Sequence, residues 1–221
     1  MSTSNIDLEY SIVAFVDILG FSEMVKSDCE NKSGSLKFFE ILKKINNDTK
    51  DINECKVTQF SDSVIFSLPL SVQNFQKIIK ILAEYQKELL YNSIICRGAV
   101  SYGKHFEEKE FMFSQALIEA YQLECKEAIY PRVILSQNLL EYFKPNLAKV
   151  DSILMEKDGY FFVDYLEGGE KSRIYSILNL FNKNIGQYNL SVKEKYFWLF
   201  DYWEYKYKEK LPFKKERFCN D

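Results

Sequence analysis

An α/β (α+β) fold, one sheet with helices packed against it, is predicted for this 221-residue chain by three observations. Strand-like and helix-like segments alternate up to residue 135 in the order β-α-β-β-α-β-α-β, a pattern of sheets with crossover helices. Ile12 to Leu19 is a nearly continuous apolar run, rich in β-branched and aromatic residues, as in a strand buried on both faces. Asn74 to Leu90 repeats apolar residues at three- and four-residue steps (Phe75, Ile78, Ile79, Leu82, Tyr85, Leu89), the stripe of an amphipathic helix.

The elements follow in order. Gly20-Phe21-Ser22 ends the first strand, and Phe38, Phe39, Ile41, Leu42 and Ile45 mark the following helix. Lys56–Phe60 and Val64–Ser67 read as two short strands joined by the turn Ser61-Asp62-Ser63, and Pro69 stops the second. Ile94 to Tyr102 reads as a strand ending at Gly103, and Phe113 to Ala128 as a helix with Ala116, Leu117, Ala120 and Leu123 on one side. Val133-Ile134-Leu135 is a short strand, and Ser136 to Phe143 a short helix ended by Pro145. Ile153–Met155 and Tyr160–Val163 suit a hairpin around Lys157-Asp158-Gly159. Lys171 to Gly186 and Ser191 to Lys208 read as two helices. The expected organisation is a core over residues 1–135 and a C-terminal extension over 136–221, packed as a single domain.

Composition narrows the class. Hydrophobic residues make up 47% of the chain, enough for an ample core. The net charge of −3 argues against a general nucleic-acid binder. Apolar runs are too short to span a bilayer, and the polar, acidic start does not read as a signal peptide. Five cysteines at irregular spacing suit reduced thiols, and the expected location is the cytoplasm.

Two acids carry the chemistry. Asp17 interrupts a strand that is otherwise apolar, and Asp62 sits at the tip of the next hairpin. A buried carboxylate is costly without a partner, and either a metal ion or a hydrogen-bonded turn offsets that cost. A first strand placed beside the hairpin brings the two carboxylates together, making a site for two hard divalent cations, magnesium or manganese. Leu19-Gly20-Phe21-Ser22 enters a helix whose backbone N–H groups can receive phosphate oxygens.

These residues resemble a known family. Phe15-Val16-Asp17-Ile18-Leu19-Gly20-Phe21-Ser22 is similar to the opening motif of class III nucleotidyl cyclases, Asp-Ile-x-Gly-Phe-Thr/Ser. Phe60-Ser61-Asp62-Ser63 resembles the hairpin with the second metal-binding Asp. Arg97-Gly98-Ala99-Val100-Ser101-Tyr102-Gly103 and Ala116 to Glu124 resemble the later strand and helix, and the likeness covers about residues 10 to 135. It implies a ferredoxin-like βαββαβ core, with Asp17, Asp62 and the Ile18 carbonyl as metal ligands. Gly20, Phe21 and Ser22 would hold the triphosphate, and the ribose 3′-hydroxyl would attack the α-phosphate with loss of pyrophosphate. It also implies a head-to-tail homodimer.

The departures point to a branch. Thr58 stands four places before the second Asp, where purine cyclases carry a base-reading residue. Ile118 and Gln122 stand where the family has an Asn and an Arg for transition-state charge, leaving Arg97 or Lys104 as candidate cations. The mix resembles the Pycsar-type bacterial pyrimidine cyclases. That implies CTP or UTP as substrate, cyclic CMP or cyclic UMP as an antiphage signal, and a separate effector protein that detects it. A purine cyclase and a catalytically degenerate nucleotide-binding module are the alternatives. His105 reads as an exposed hairpin residue, and the aromatic run from Tyr196 to Trp203 as core or subunit packing.

Overall fold

The computed structural model describes residues 8–53, 55–109 and 111–214. In chain order these form β1 (Glu9–Ile18), α1 (Phe21–Glu30), α2 (Lys37–Asn53), β2 (Lys56–Phe60), β3 (Ser63–Pro69) and α3 (Val72–Tyr91). There follow β4 (Cys96–Glu108), β5 (Phe111–Ser114), α4 (Gln115–Glu127), β6 (Val133–Leu135) and α5 (Gln137–Phe143). The last part holds β7 (Ile153–Met155), β8 (Phe161–Val163), α6 (Lys171–Asn184) and α7 (Leu190–Tyr207).

The strands form one mixed sheet in the order β2-β3-β1-β4-β6-β8-β7, and β5 pairs with the far part of β4. The β4–β6 pair is parallel, while β1 runs antiparallel to both β3 and β4. Its central place explains the apolar run. Ile12, Ala14, Val16 and Ile18 join the core with Phe75, Ile78, Ile79 and Leu82 of α3. On the opposite face the Phe15 ring meets Tyr121 of α4 edge-on at 5.3 Å. Burying side chains on both faces favours an all-apolar strand over an alternating one.

Helix α4 lies close to the sheet because Ala116 and Ala120, both fully buried, present little bulk. A Cβ on Gly103 would sit 3.2 Å from the Ala116 nitrogen, so this glycine admits the helix instead of ending the strand. Accordingly β4 continues to Glu108, beyond the expected stop. Residues Phe111–Ser114, expected at or just before a helix start, pair with β4 as a strand, and the Ser114 hydroxyl caps α4 by accepting from Leu117 N.

The C-terminal helices complete the core. Tyr196, Trp198, Leu199, Phe200, Tyr202 and Trp203 of α7 are buried, as the aromatic run predicts. Arg132 ties this layer to the sheet. Its guanidinium, 1% exposed, pairs with Glu156 and Asp158 on the β7–β8 hairpin. Rings of Tyr130, Tyr160, Phe162 and Trp198 surround it at 5.6 to 5.9 Å. Trp198 Nε1 donates to the same Glu156 carboxylate at 2.9 Å. Among the described residues no helix is long and apolar enough to cross a membrane. Cys29, Cys55, Cys96 and Cys125 are free thiols, and Cys219 lies outside the described residues.

Candidate active site

Asp17 lies near the end of β1, in register with Ser63 on β3 and Arg97 on β4. Asp62 is at the tip of the β2–β3 turn, and its carbonyl accepts the Ile18 N–H at 2.9 Å. This bond fastens the hairpin tip to the end of β1 and sets the two acids side by side. Burial raises the Asp17 carboxyl above its ordinary value, the adjacent Asp62 charge adds to the rise, and Arg97 opposes it. Arg97 Nε donates to Asp17 Oδ2 at 3.2 Å, and its Nη1 to the Ala128 carbonyl at 3.4 Å.

A third acid joins them. Glu124 Oε1 lies 2.8 Å from Arg97 Nε, and the Glu124 side chain is only 3% exposed. Its carboxyl is likewise raised, first by burial, with the charges of Asp17 and Asp62 contributing and Arg97 opposing. Arg97, one of the two candidate cations, therefore pairs with two acids of the site itself. Glu124 was legible in principle, because Ala116, Ala120 and Glu124 recur at four-residue steps on one helix face.

A second cation comes from far along the chain. Lys195 on α7 interacts electrostatically with both Asp17 and Arg97. Burial, then the Arg97 charge, lowers its ammonium, and Asp17 acts in the opposite sense. Its Nζ donates to the Ser191 carbonyl at 3.2 Å and to Ser191 Oγ at 3.0 Å. No local motif singles out Lys195; only the packing of α7 brings it here. Lys104, the other candidate cation, is paired with Tyr10 at the opposite end of β1 and donates to the Leu8 carbonyl at 2.7 Å.

Gly20 has φ 76°, a left-handed conformation that glycine adopts without strain, and it turns the chain from β1 into α1. No side chain caps this end of α1, so the first-turn amides at Phe21 and Ser22 are available to an anion. The Phe21 ring packs edge-on against Phe38 at 5.3 Å, which anchors the helix start. Ser22 is exposed.

Register places a row of side chains on the Asp17 face. Side chains alternate along a strand, so Phe15 shares that face with Asp17, and Ile65 and Thr58 lie beside Phe15 on β3 and β2. Thr58 donates its hydroxyl hydrogen to Glu107 Oε1 at 2.7 Å. Ile118 and Gln122 are exposed on α4. His105 corrects the expectation of an exposed residue: it is 7% exposed, with Nε2 3.4 Å from Glu107 Oε2. It is paired with Glu9 on β1 and Ser114 on β5, with the Glu107 side chain beside it.

Asp17 and Asp62 suit a hard divalent cation. Both offer carboxylate oxygens, and burial with the Asp62 charge keeps the Asp17 carboxyl raised even with Arg97 beside it. Among the described residues no group of three or more His, Cys, Asp or Glu side chains forms a ready-made metal cage. The side-chain donors available to such a cation at the strand ends are the carboxylates of Asp17 and Asp62.

No protein-family model matches the chain, and no curated protein matches it. Solved structures do. The catalytic core of a rhodopsin-guanylyl cyclase with converted specificity, in complex with ATPalphaS, is similar over 71% of this chain and 96% of its own, at 12% identity and TM-score 0.50. The monomeric guanylyl cyclase domain of the RhoGC fusion protein from the aquatic fungus Blastocladiella emersonii aligns over 71% and 95%, at 16% identity and TM-score 0.48. A bacterial light-regulated adenylyl cyclase aligns over 79% and 98%, at 15% identity and TM-score 0.44. The protein has the fold of a class III cyclase catalytic domain.

Proposed function

We propose that the protein is a metal-dependent nucleotidyl cyclase. It would convert a nucleoside triphosphate into its 3′,5′-cyclic monophosphate and pyrophosphate. The observation that carries this reading is the pairing of Asp17 and Asp62 at adjoining strand ends, next to the uncapped start of α1. Two divalent ions, manganese or magnesium, would be held by Asp17, Asp62 and the Ile18 carbonyl, and would activate the 3′-hydroxyl and stabilise the departing pyrophosphate. Phosphate oxygens would meet the amides of Gly20, Phe21 and Ser22, and Arg97 with Lys195 would supply positive charge. Exposed Phe60, Ile118, Tyr121 and Ile129 support a homodimer, because large apolar side chains gathered near a site suit an interface.

The finer reading is a cytoplasmic pyrimidine cyclase acting on CTP or UTP in a Pycsar-type antiphage system, with a separate effector downstream. Resemblance around Phe60-Ser61-Asp62-Ser63 and Arg97 to Gly103 supports it. Within this reading, residues 1–135 form the catalytic core and 136–221 an extension packed on it. A purine substrate fits at least as well. A binding module without turnover is favoured by one observation, the apolar Ile118 and neutral Gln122 on the exposed side of α4.

The test is incubation of purified protein with ATP, GTP, CTP and UTP separately, with manganese, and mass spectrometry of the products. One cyclic monophosphate is expected, lost in Asp17→Ala and in Asp62→Ala while circular dichroism is unchanged. Full activity in both variants would overturn the proposal.

A further inference from the structure

A cavity opens between α1, α2 and the β2–β3 hairpin, and the chemistry above does not use it. Its volume is about 590 Å³, the size of a small-molecule site. Buried Phe38 and Leu42, with the exposed side chains of Val25, Leu36 and Phe39, give it apolar walls. Asp28 Oδ2 accepts the Phe39 N–H at 3.0 Å, which fixes α1 against the start of α2, so the walls are formed in advance. Lys43 and Asp28 bring one charge of each sign to the lining, which favours a neutral occupant.

The amides in its lining form a chain with one free end. Gln59 Nε2 donates to the Ser61 carbonyl at 3.0 Å, so Gln59 Oε1 is left to accept, and it takes a hydrogen from Asn46 Nδ2. Asn46 therefore turns its Oδ1 the other way. That oxygen is buried and receives no hydrogen from any described residue. A buried acceptor without a donor is costly, and a ligand with an N–H or O–H group offsets that cost. The other end of the chain is the metal hairpin. Ser61 has φ 56°, a left-handed conformation strained for a residue with a side chain, and it immediately precedes Asp62. Gln59 holds the Ser61 carbonyl and Asn46 holds Gln59, so a donor at Asn46 steadies the whole chain up to the tip.

We infer that this cavity binds a small, flat, neutral apolar molecule whose single N–H or O–H donates to Asn46 Oδ1, and that its occupancy strengthens metal binding at Asp17 and Asp62. The coupling rests on the metal reading above; the binding site does not. By linkage the effect is mutual, so the metal tightens the ligand by the factor with which the ligand tightens the metal.

The probe is indole, and its control is benzofuran, which has the same shape with an oxygen in place of the N–H. Cys29 lines the cavity with an exposed thiol, whereas Cys125, also exposed, lies on α4. Alkylation of the two thiols by iodoacetamide, read by mass spectrometry, therefore reports occupancy at this place. Indole at millimolar concentration should slow Cys29 and leave Cys125 unchanged, and benzofuran should need about tenfold more for the same effect. Asn46→Leu should abolish the preference for indole, and Val25→Trp, which fills the cavity, should abolish the indole effect altogether. Manganese affinity, read from the paramagnetic resonance of the free ion, should rise at least about threefold at saturating indole. Unslowed Cys29, equal protection by benzofuran, an indole effect that survives in Val25→Trp, or an unchanged manganese affinity overturns the inference. Slowing that follows protein concentration instead of indole assigns the cavity to a second copy of the chain and overturns it too. If manganese binds neither with indole nor without it, the metal reading and the coupling fail together, while donor-dependent protection of Cys29 upholds the binding site.

Discussion

Asp17 and Glu124 share one guanidinium: Arg97 Nε lies 3.2 Å from Asp17 Oδ2 and 2.8 Å from Glu124 Oε1. With Asp62 close by, a single half-buried arginine holds together a group of acids on three different elements. Removing it leaves carboxylates that repel one another in a partly desolvated place. Arg97→Ala should therefore lose about 2 kcal/mol of stability at neutral pH, below the full cost of breaking a fully buried pair. Manganese should raise the denaturation midpoint of the variant more than that of the wild type, since binding to the native state stabilises it. Chemical denaturation with and without the metal checks both effects.

Lys195 stands apart from the hairpin bonds that fix Asp17 and Asp62, and its own hydrogen bonds go to Ser191 within the same helix. Lys195→Met keeps most of the side-chain bulk and removes the charge. The expected result is a fall in turnover of roughly tenfold to a hundredfold with little change in melting temperature. A variant with wild-type turnover would remove Lys195 from the site.

Glu107 sets an acid limit on stability. Its carboxyl is lowered from 4.5 to about 2 in the folded protein, first by His105 and then, against the opposing effect of burial, by Thr58 and Ser67. A depressed carboxyl contributes fully above its unfolded value and loses that contribution as the pH falls toward the folded one. The contribution, at most about 3 kcal/mol, should therefore fade between pH 4.5 and about 2. Urea midpoints measured over this range should fall less steeply in Glu107→Gln than in the wild type.

Arg132 gives the largest expected loss. Its side chain is buried, and both Glu156 and Asp158 depend on it for charge. Arg132→Met should cost about 3 kcal/mol, because half-buried Glu156 and exposed Asp158 lose the buried guanidinium that both pair with. Adding Glu156→Gln and Asp158→Asn should recover much of that loss. Denaturant midpoints of the single and triple variants decide it.

What was legible in the sequence follows from periodicity and from acids out of place. The run Ile12 to Val16 is unbroken because β1 is covered on both sides, so its central position could be read directly. Asp17 and Asp62 stood out because each breaks an apolar setting. Other features depend on contacts between distant segments. Gly103 looks like a stop in one dimension but makes room for α4 in three. His105 looks exposed until its strand is paired on both sides and Glu107 lies beside it. Lys195 follows Arg97 by nearly a hundred positions and reaches the site only when α7 packs. Among the missed residues Glu124 alone had a local signal, as the acid that continues the Ala116 and Ala120 stripe.

The tie between Arg132 and the last helices has a consequence for biosynthesis. The Arg132 carbonyl receives the Gly98 N–H at 3.0 Å, one residue beyond Arg97, while its side chain awaits Glu156 and Asp158, and Glu156 in turn awaits Trp198. A ribosome delivers these partners late. A nascent chain that has already exposed both aspartates lacks the clasp that fixes the cationic end of β4, and it lacks Lys195 as well. The acidic hairpin is made early and part of its countercharge is secured last, so a chain still in translation does not yet hold the complete cluster of Asp17, Asp62, Arg97 and Lys195.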